Sequence, residues 1–272
     1  MSQLEKLMHT PISIDIESTI DDIVKIMLEK KIGRVLVSEN KKITSIITEK
    51  DLGLFLLKDK SNRTLQQIPS SELVKPILTI SQSAKSQDGA KTMLENRIGS
   101  LGIVSDEKEI VGIITKTDLV QDFAKNHQNE KTVGQYMSTN YSWVYSDILL
   151  NEAVSKMSEG KISRVIIKNR EEIPVGIITF RDLFNLVISM GSQRDVIFPK
   201  SFESEHGLGK TLKVDEVMKN EIITASNSDD LAKVSQLLLE NKINGVGVLS
   251  NKGDLIGILS KTDIIKAIAS LN

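Results

Sequence analysis

A chain of 272 residues, 40% of them apolar, has the length and the apolar side chains for about two domains with buried cores. Its 35 basic and 36 acidic residues are interspersed and leave a formal charge of −1, which argues against nucleic acid as an electrostatic partner. The absence of cysteine excludes disulfides, thiolate metal sites and cysteine nucleophiles and fits a cytoplasmic protein. Neither Met1 to Thr10 nor any later stretch has the apolar length of a signal peptide or a membrane helix.

Taken in chain order, the same elements return four times. Over about residues 8–60, a short strand at Ser13-Ile14 leads to a segment whose Ile23, Ile26 and Met27 recur at helical spacing. Lys31-Ile32-Gly33 follows, then the branched run Val35-Leu36-Val37, which reads as a buried strand, and a polar turn at Ser38–Lys41. A second strand ends in Ser45-Ile46-Ile47-Thr48-Glu49-Lys50-Asp51, and an apolar helical stretch begins at Leu52. Over about 73–126 the counterparts are Thr79-Ile80, Met93, Arg97-Ile98-Gly99, Leu101–Val104, the turn Ser105–Lys108, and Gly112 to Asp118 with Thr115. Over about 136–190 they are Trp143-Val144, Met157, Lys161-Ile162-Ser163, Val165–Ile167, the turn Lys168–Glu171, and Gly176 to Asp182 with Thr179. Over about 217–272 they are Thr224-Ala225, Leu238, Lys242-Ile243-Asn244, Val246–Val248, the turn Ser250–Gly253, and Gly257 to Asp263 with Ser260.

The shared isoleucine precedes the hydroxyl residue by 16, 17, 17 and 17 positions, and five residues before it stand Met27, Met93, Met157 and Leu238. The expected unit is strand, helix, strand, strand, helix, an α/β repeat too small to bury its sheet alone, so the units must pack on one another. Alternate repeats share features. The odd ones carry Arg34 and Arg164 followed by bulky Leu36 and Ile166, while the even ones carry Ser100 and Gly245 followed by Gly102 and Gly247 and share Lys-Thr-Asp at 116–118 and 261–263. A duplicated two-repeat module accounts for this, with modules at 1–130 and 131–272 and a boundary in Lys125 to Lys131. Residues 191–213, with Pro199 and several charges, form an insertion too long for a simple connector.

A hydroxyl residue with an aspartate three positions later, at a strand end where a helix starts, is a capping box. The same geometry suits a nucleotide, with phosphate at the hydroxyl and the helix amides and ribose hydroxyls on the carboxylate. The two readings are compatible, and the motif leaves both open. Gly102 and Gly247, inside apolar strands, mark either tight packing or the approach of a ligand such as a purine ring. Arg34 and Arg164 read as solvated charges or as bidentate phosphate ligands, with Lys116, Arg181 and Lys261 as secondary candidates. His9, His127 and His206 have no partner at metal-ligand spacing and read as surface or loop residues. The methionines read largely as helix core, and Trp143 and Tyr145 as core packing or a stacking surface. There is no P-loop, no nucleophile elbow and no catalytically spaced His and acid, so no residues are visible for an enzymatic activity, and no metal site is expected.

Each repeat resembles a CBS domain. The family's Gly-x-x-Thr/Ser-x-x-Asp signature stands complete at Gly112/Thr115/Asp118, Gly176/Thr179/Asp182 and Gly257/Ser260/Asp263, and with Ser45 for glycine at Thr48/Asp51. The resemblance implies paired units, two pairs in a disc-like assembly, and clefts for AMP, ADP, ATP or S-adenosylmethionine, with or without magnesium. It implies ribose on Asp51, Asp118, Asp182 and Asp263, phosphate near Thr48, Thr115, Thr179 and Ser260, and adenine beside Thr79, Ile80, Gly102, Thr224, Ala225 and Gly247. It also implies one composite site per module, Arg34 with Thr115 and Asp118, and Arg164 with Ser260 and Asp263. The expected role is a stand-alone regulatory sensor, homo-oligomeric, acting on a separate protein partner. Two rival readings are a scaffold with empty sites and a nucleotide-dependent nucleic-acid binder, the latter disfavoured by the balanced charge.

Overall fold

The computed structural model describes residues 3–58, 61, 63–160, 162–191 and 208–271. Lys161, Pro199 and His206, and most of the expected insertion, lie outside these residues.

The first repeat runs β1 (Ser13–Asp15), α1 (Ile20–Lys30), β2 (Arg34–Glu39), β3 (Lys42–Thr48) and α2 (Glu49–Lys58). A short strand, β4 (Lys75–Pro76), precedes the second: β5 (Thr79–Ser81), α3 (Ser86–Glu95), β6 (Ser100–Val104), β7 (Ile110–Thr115) and α4 (Lys116–Asn126). After α5 (Val133–Tyr136), the third has β8 (Trp143–Tyr145), α6 (Leu150–Glu159), β9 (Arg164–Lys168), β10 (Pro174–Thr179) and α7 (Phe180–Gly191). After α8 (Leu208–Thr211), inside the expected insertion, the fourth has β11 (Thr224–Ser226), α9 (Leu231–Glu240), β12 (Gly245–Leu249), β13 (Leu255–Ser260) and α10 (Lys261–Ala269). The expected order of strand, helix, strand, strand, helix is therefore found in every repeat.

Local chemistry explains these elements. The α1 helix starts at Thr19, whose hydroxyl accepts from the Asp22 amide while the Asp22 carboxylate accepts from the Thr19 amide, and it buries Ile20, Ile23, Val24 and Met27. The helix-ending residues Lys31, Arg97 and Lys242 take positive φ of 54°, 54° and 53°. This left-handed step lets the next isoleucine amide bond back to the carbonyl five residues earlier: Ile32 to Met27, Ile98 to Met93 and Ile243 to Leu238, each at 3.0 Å, and Ile162 makes the same bond to Met157 at 3.0 Å. The constant five-residue spacing is thus a helix C-cap with its apolar contact.

In each repeat the first strand pairs parallel with the second, and the second pairs antiparallel with the third. The first sheet gains β4 as a fourth strand beside β3. The antiparallel turns use positive φ at Asn40 and Lys41, Lys108, Glu172 and Gly253. In the first hairpin, β2 extends through Glu39, so the turn is tighter than Ser38–Lys41.

By compactness the chain forms two units that interleave along the sequence. One comprises the chain up to Pro11, Ile77–Tyr141 and the chain from Ile223, and holds the bodies of the second and fourth repeats. Its core joins Leu101, Ile103, Phe123, Leu231, Val248 and Ile264, with α10 against α3 and α4, and α4 against α9. The other comprises Ile12–Pro76 and Ser142–Ile222, the bodies of the first and third repeats. Its core joins Ile23, Val35, Ile47, Val165, Ile167 and Phe184, with α2 against α7. Compactness groups repeats by parity, where the sequence reading grouped neighbours.

Candidate functional site

The signature hydroxyl and aspartate form a capping box in all four repeats. In each, the carboxylate Oδ2 accepts the amide and the hydroxyl of the residue three positions earlier. The amide and hydroxyl distances are 3.1 and 2.5 Å for Thr48 on Asp51, and 2.7 and 2.8 Å for Thr115 on Asp118. They are 2.9 and 2.6 Å for Thr179 on Asp182, and 2.9 and 2.7 Å for Ser260 on Asp263. The structural reading of the motif is therefore realised, and it leaves the second oxygen, Oδ1, facing outward from the cap.

That second oxygen is also engaged. The short segment ahead of each repeat, here called its leader, makes a helical turn and then bridges, backbone to backbone, to the third strand of the neighbouring repeat. The bridges are His9 to Ile113, Lys75 to Ile46, Ser138 to Ile258 and Lys219 to Ile177. Each of these leader residues reaches the aspartate at the end of the strand it crosses. His9 Nε2 lies 2.9 Å from Asp118 Oδ1, which requires the proton on that nitrogen when the carboxylate is ionised. Lys75 pairs with Asp51 Oδ1, Lys219 lies 3.3 Å from Asp182 Oδ1, and Ser138 Oγ donates to Asp263 Oδ1 at 3.1 Å. Asp263 Oδ1 also accepts Lys266 at 2.7 Å.

The leader crossing explains the signature glycine. A Cβ built on Gly112 would stand 2.5 Å from Met8 Sδ, and one on Gly176 would stand 2.6 Å from both Lys219 O and Met218 Sδ. On Gly257 it would meet Ser138 O at 2.9 Å and Met137 Sδ at 3.3 Å. In the first repeat, where serine replaces glycine, Val74 stands in the leader where the others have methionine, and Ser45 faces Pro76. Met8, Met137 and Met218 therefore belong to leaders, while Met27, Met93 and Met157 fill the helix core as expected.

The purine-slot candidates are neighbours in register: Thr79 pairs with Gly102 and Thr224 with Gly247, with exposed threonines and buried glycines. Ile80 is half-buried and Ala225 is buried. A Cβ on Gly102 would meet Ile77 Cδ1, Thr79 Cγ2 and Ile110 Cδ1 at 3.2, 3.3 and 3.4 Å, so side chains of its own surroundings close over it. In the odd repeats the corresponding pairs are Ser13 with Leu36 and Trp143 with Ile166. Trp143 is not core. It is half-buried, packs edge to face on Tyr145 at 5.1 Å, and has Lys168 4.6 Å from its ring centre.

Arg34 and Arg164 are the first residues of β2 and β9, and register places them across from Thr48 and Thr179 of their own repeats. Arg34 and Arg164 belong to the odd-repeat unit, while Thr115, Asp118, Ser260 and Asp263 belong to the even-repeat unit. The secondary phosphate candidates make side-chain bonds that join repeats within a unit. Lys116 Nζ donates to Thr262 at 2.9 Å and Lys261 Nζ to Thr117 at 3.1 Å, a reciprocal pair between the second and fourth repeats. Arg181 Nε donates to Glu49 at 3.0 Å, and Lys50 lies 5.6 Å from the Phe180 ring centre, the equivalent pair between the first and third. The parity of Lys-Thr against Glu-Lys and Phe-Arg thus follows which helix N-termini meet.

Sequence reasoning missed the contacts of the leader residues: His9 is exposed, as expected of a surface residue, and it also touches a signature aspartate. The signal was present as a residue following Met8, Val74, Met137 and Met218 at one position in each leader. His127 instead stacks on Phe123 and bonds Glu130. Among the described residues, no group of three or more His, Cys, Asp or Glu could hold a metal ion, and no helix is long and apolar enough to cross a membrane.

Comparison with known proteins fits this architecture. Protein MJ1225 of Methanocaldococcus jannaschii is 22% identical over 274 residues, 93% of each chain. Its crystal structure, described as that of a proposed archaeal homolog of g-AMPK, matches with a TM-score of 0.80 over 98% of this chain and 100% of that one. An uncharacterized conserved protein of Pyrococcus horikoshii, 19% identical, matches with a TM-score of 0.68 over the same shares. Identities this low show a common fold. The L-aspartate semialdehyde sulfurtransferase of M. jannaschii is 29% identical over 162 residues, which are 60% of this chain and only 28% of that enzyme. The pattern that defines the CBS domain matches residues 4–57, 68–125, 133–189 and 214–270, and with most of its length so matched the chain belongs to the CBS domain family as a tandem array of four repeats.

Proposed function

We propose that the protein is a regulatory sensor that binds an adenosine ligand, AMP, ADP, ATP or S-adenosylmethionine, at its signature aspartates, does no chemistry on it, and signals to a separate protein partner in the cytoplasm. One observation carries this reading: in each repeat the helix after the third strand opens on a carboxylate with one oxygen filled by two cap bonds and the other facing outward from the cap. A carboxylate oxygen so placed accepts ribose hydroxyls, and the adjoining helix start favours phosphate. The exchange of leaders between repeats one and two, and between three and four, supports neighbouring repeats as working partners. A ligand acts as a switch only through a difference in its affinity for two arrangements of the repeats.

The test is thermal melting with the four compounds, with and without magnesium. Ligand at 100 times its Kd adds about 2.7 kcal/mol, or roughly 5–11 °C. Because the aspartates cap helices, asparagine is the informative substitution: it keeps one acceptor oxygen for the cap and turns the outward atom into a donor. Asp118→Asn with Asp263→Asn is expected to remove the shift at the even repeats. A full shift in that variant overturns the assignment. The scaffold reading is favoured by the engagement of every signature Oδ1 by the protein's own side chains, and it predicts no shift in the unaltered chain.

A further inference from the structure

In all four repeats the oxygen left for a ligand is already held. Oδ2 of each signature aspartate takes two cap bonds, which fill its acceptor capacity, so a ribose hydroxyl has to be accepted by Oδ1. That atom is held by Lys75 on Asp51, His9 on Asp118, Lys219 on Asp182, and Ser138 with Lys266 on Asp263. His9, Lys75, Ser138 and Lys219 occupy one equivalent position in four leaders, so the contact is a property of the repeat rather than of one surface.

Resting on the ribose reading above, we infer that these leader residues set the affinity of each site by competing with ligand for Oδ1. The burial pattern fits a displaceable holder. The aspartate side chains are 5–11% exposed, whereas His9, Lys75, Lys219 and Lys266 are 51–66% exposed and can swing into water without disturbing the core. The backbone bridge between His9 and Ile113 persists when the imidazole leaves, because it uses only main-chain atoms. An exposed, screened pair of this kind changes an equilibrium by no more than about fivefold, which tunes a site without closing it.

The holders differ, so the sites differ. Asp118 is held by one imidazole, and Asp263 by a hydroxyl and an ammonium together. The second repeat therefore fills more readily than the fourth. Each leader also continues into a first strand: His9 runs on to β1 at Ser13, and Lys75 to β5 at Thr79. A holder released at one aspartate is thereby tied through the chain to the first strand of the neighbouring repeat.

The test is calorimetric titration with adenosine, which lacks phosphate and so is blind to a simple change of charge. In a chain carrying Asp51→Asn, Asp182→Asn and Asp263→Asn, only Asp118 remains, and His9→Ala is expected to tighten adenosine about two- to fivefold. In the companion chain retaining only Asp263, Ser138→Ala with Lys266→Ala is expected to tighten it by a larger factor. Should the triple variants fold poorly, His9→Ala in the otherwise unaltered chain reports through the tightest binding step. An unchanged or weakened affinity in His9→Ala, while the parent binds, overturns this inference alone. If the unaltered chain gives no heat with adenosine or AMP, the ribose reading falls and this inference falls with it.

Discussion

Replacing Gly176 by alanine puts a methyl group where the leader of the fourth repeat crosses β10. The new carbon would sit 2.6 Å from the Lys219 carbonyl oxygen and 2.6 Å from Met218 Sδ. The thioether can rotate away, but the carbonyl is pinned by a reciprocal pair of bonds, Ile177 N to Lys219 O at 3.1 Å and Lys219 N to Ile177 O at 3.0 Å. Overpacking costs about 1–3 kcal/mol, and each backbone bond strained or lost costs about 1 kcal/mol. A total near 3 kcal/mol lowers Tm by roughly 6–12 °C in a chain of this size. The control is Gly53→Ala in α2, where the added carbon meets Phe180 O at an ordinary 3.7 Å. There the gain in helix propensity, about 1 kcal/mol, should raise Tm. Both variants are read by calorimetric melting against the unaltered chain. If Gly176→Ala melts within about 1 °C of it, the leader does not constrain the signature glycine and the explanation of the motif fails.

Two further predictions concern stability. Arg181→Glu sets two carboxylates against each other at the contact between the first and third repeats, and should cost about 1 kcal/mol or less because Arg181 is 41% exposed. Adding Glu49→Arg should restore most of the loss in a double-variant cycle of urea midpoints, and additivity of the two changes would refute the pairing. Bonds from the Thr19 hydroxyl and amide hold the Asp22 carboxyl below the usual carboxylate range. A depressed folded pKa contributes stability that is present above about pH 4 and lost as pH falls through the folded value, so Thr19→Ala should flatten the acid limb of stability measured between about pH 2 and 6.

The repeat and its caps were legible because they rest on short-range physics. Apolar spacing marked the helices, branched runs marked the buried strands, and Thr115 with Asp118 announced a helix start three residues apart. The Met27 to Ile32 spacing proved to be a helix C-cap, again local. The odd and even classes were also visible, although their meaning was not: Lys116 and Lys261 read as secondary phosphate candidates, and their side chains bond Thr262 and Thr117, 146 and 144 residues away.

What the sequence by itself determined was the four-fold repeat, the order of its elements, the capping boxes and the membership that follows from the signature, since each depends on neighbours within one turn or one hairpin. Only the tertiary structure decided which side chains hold the outward carboxylate oxygens, why the signature needs glycine, and which helix starts meet. His9 and Asp118 are 109 residues apart, and Ser138 and Asp263 are 125 apart. Contacts of that separation arise from where the chain returns as each leader crosses a neighbouring strand, a consequence of packing that no local periodicity encodes.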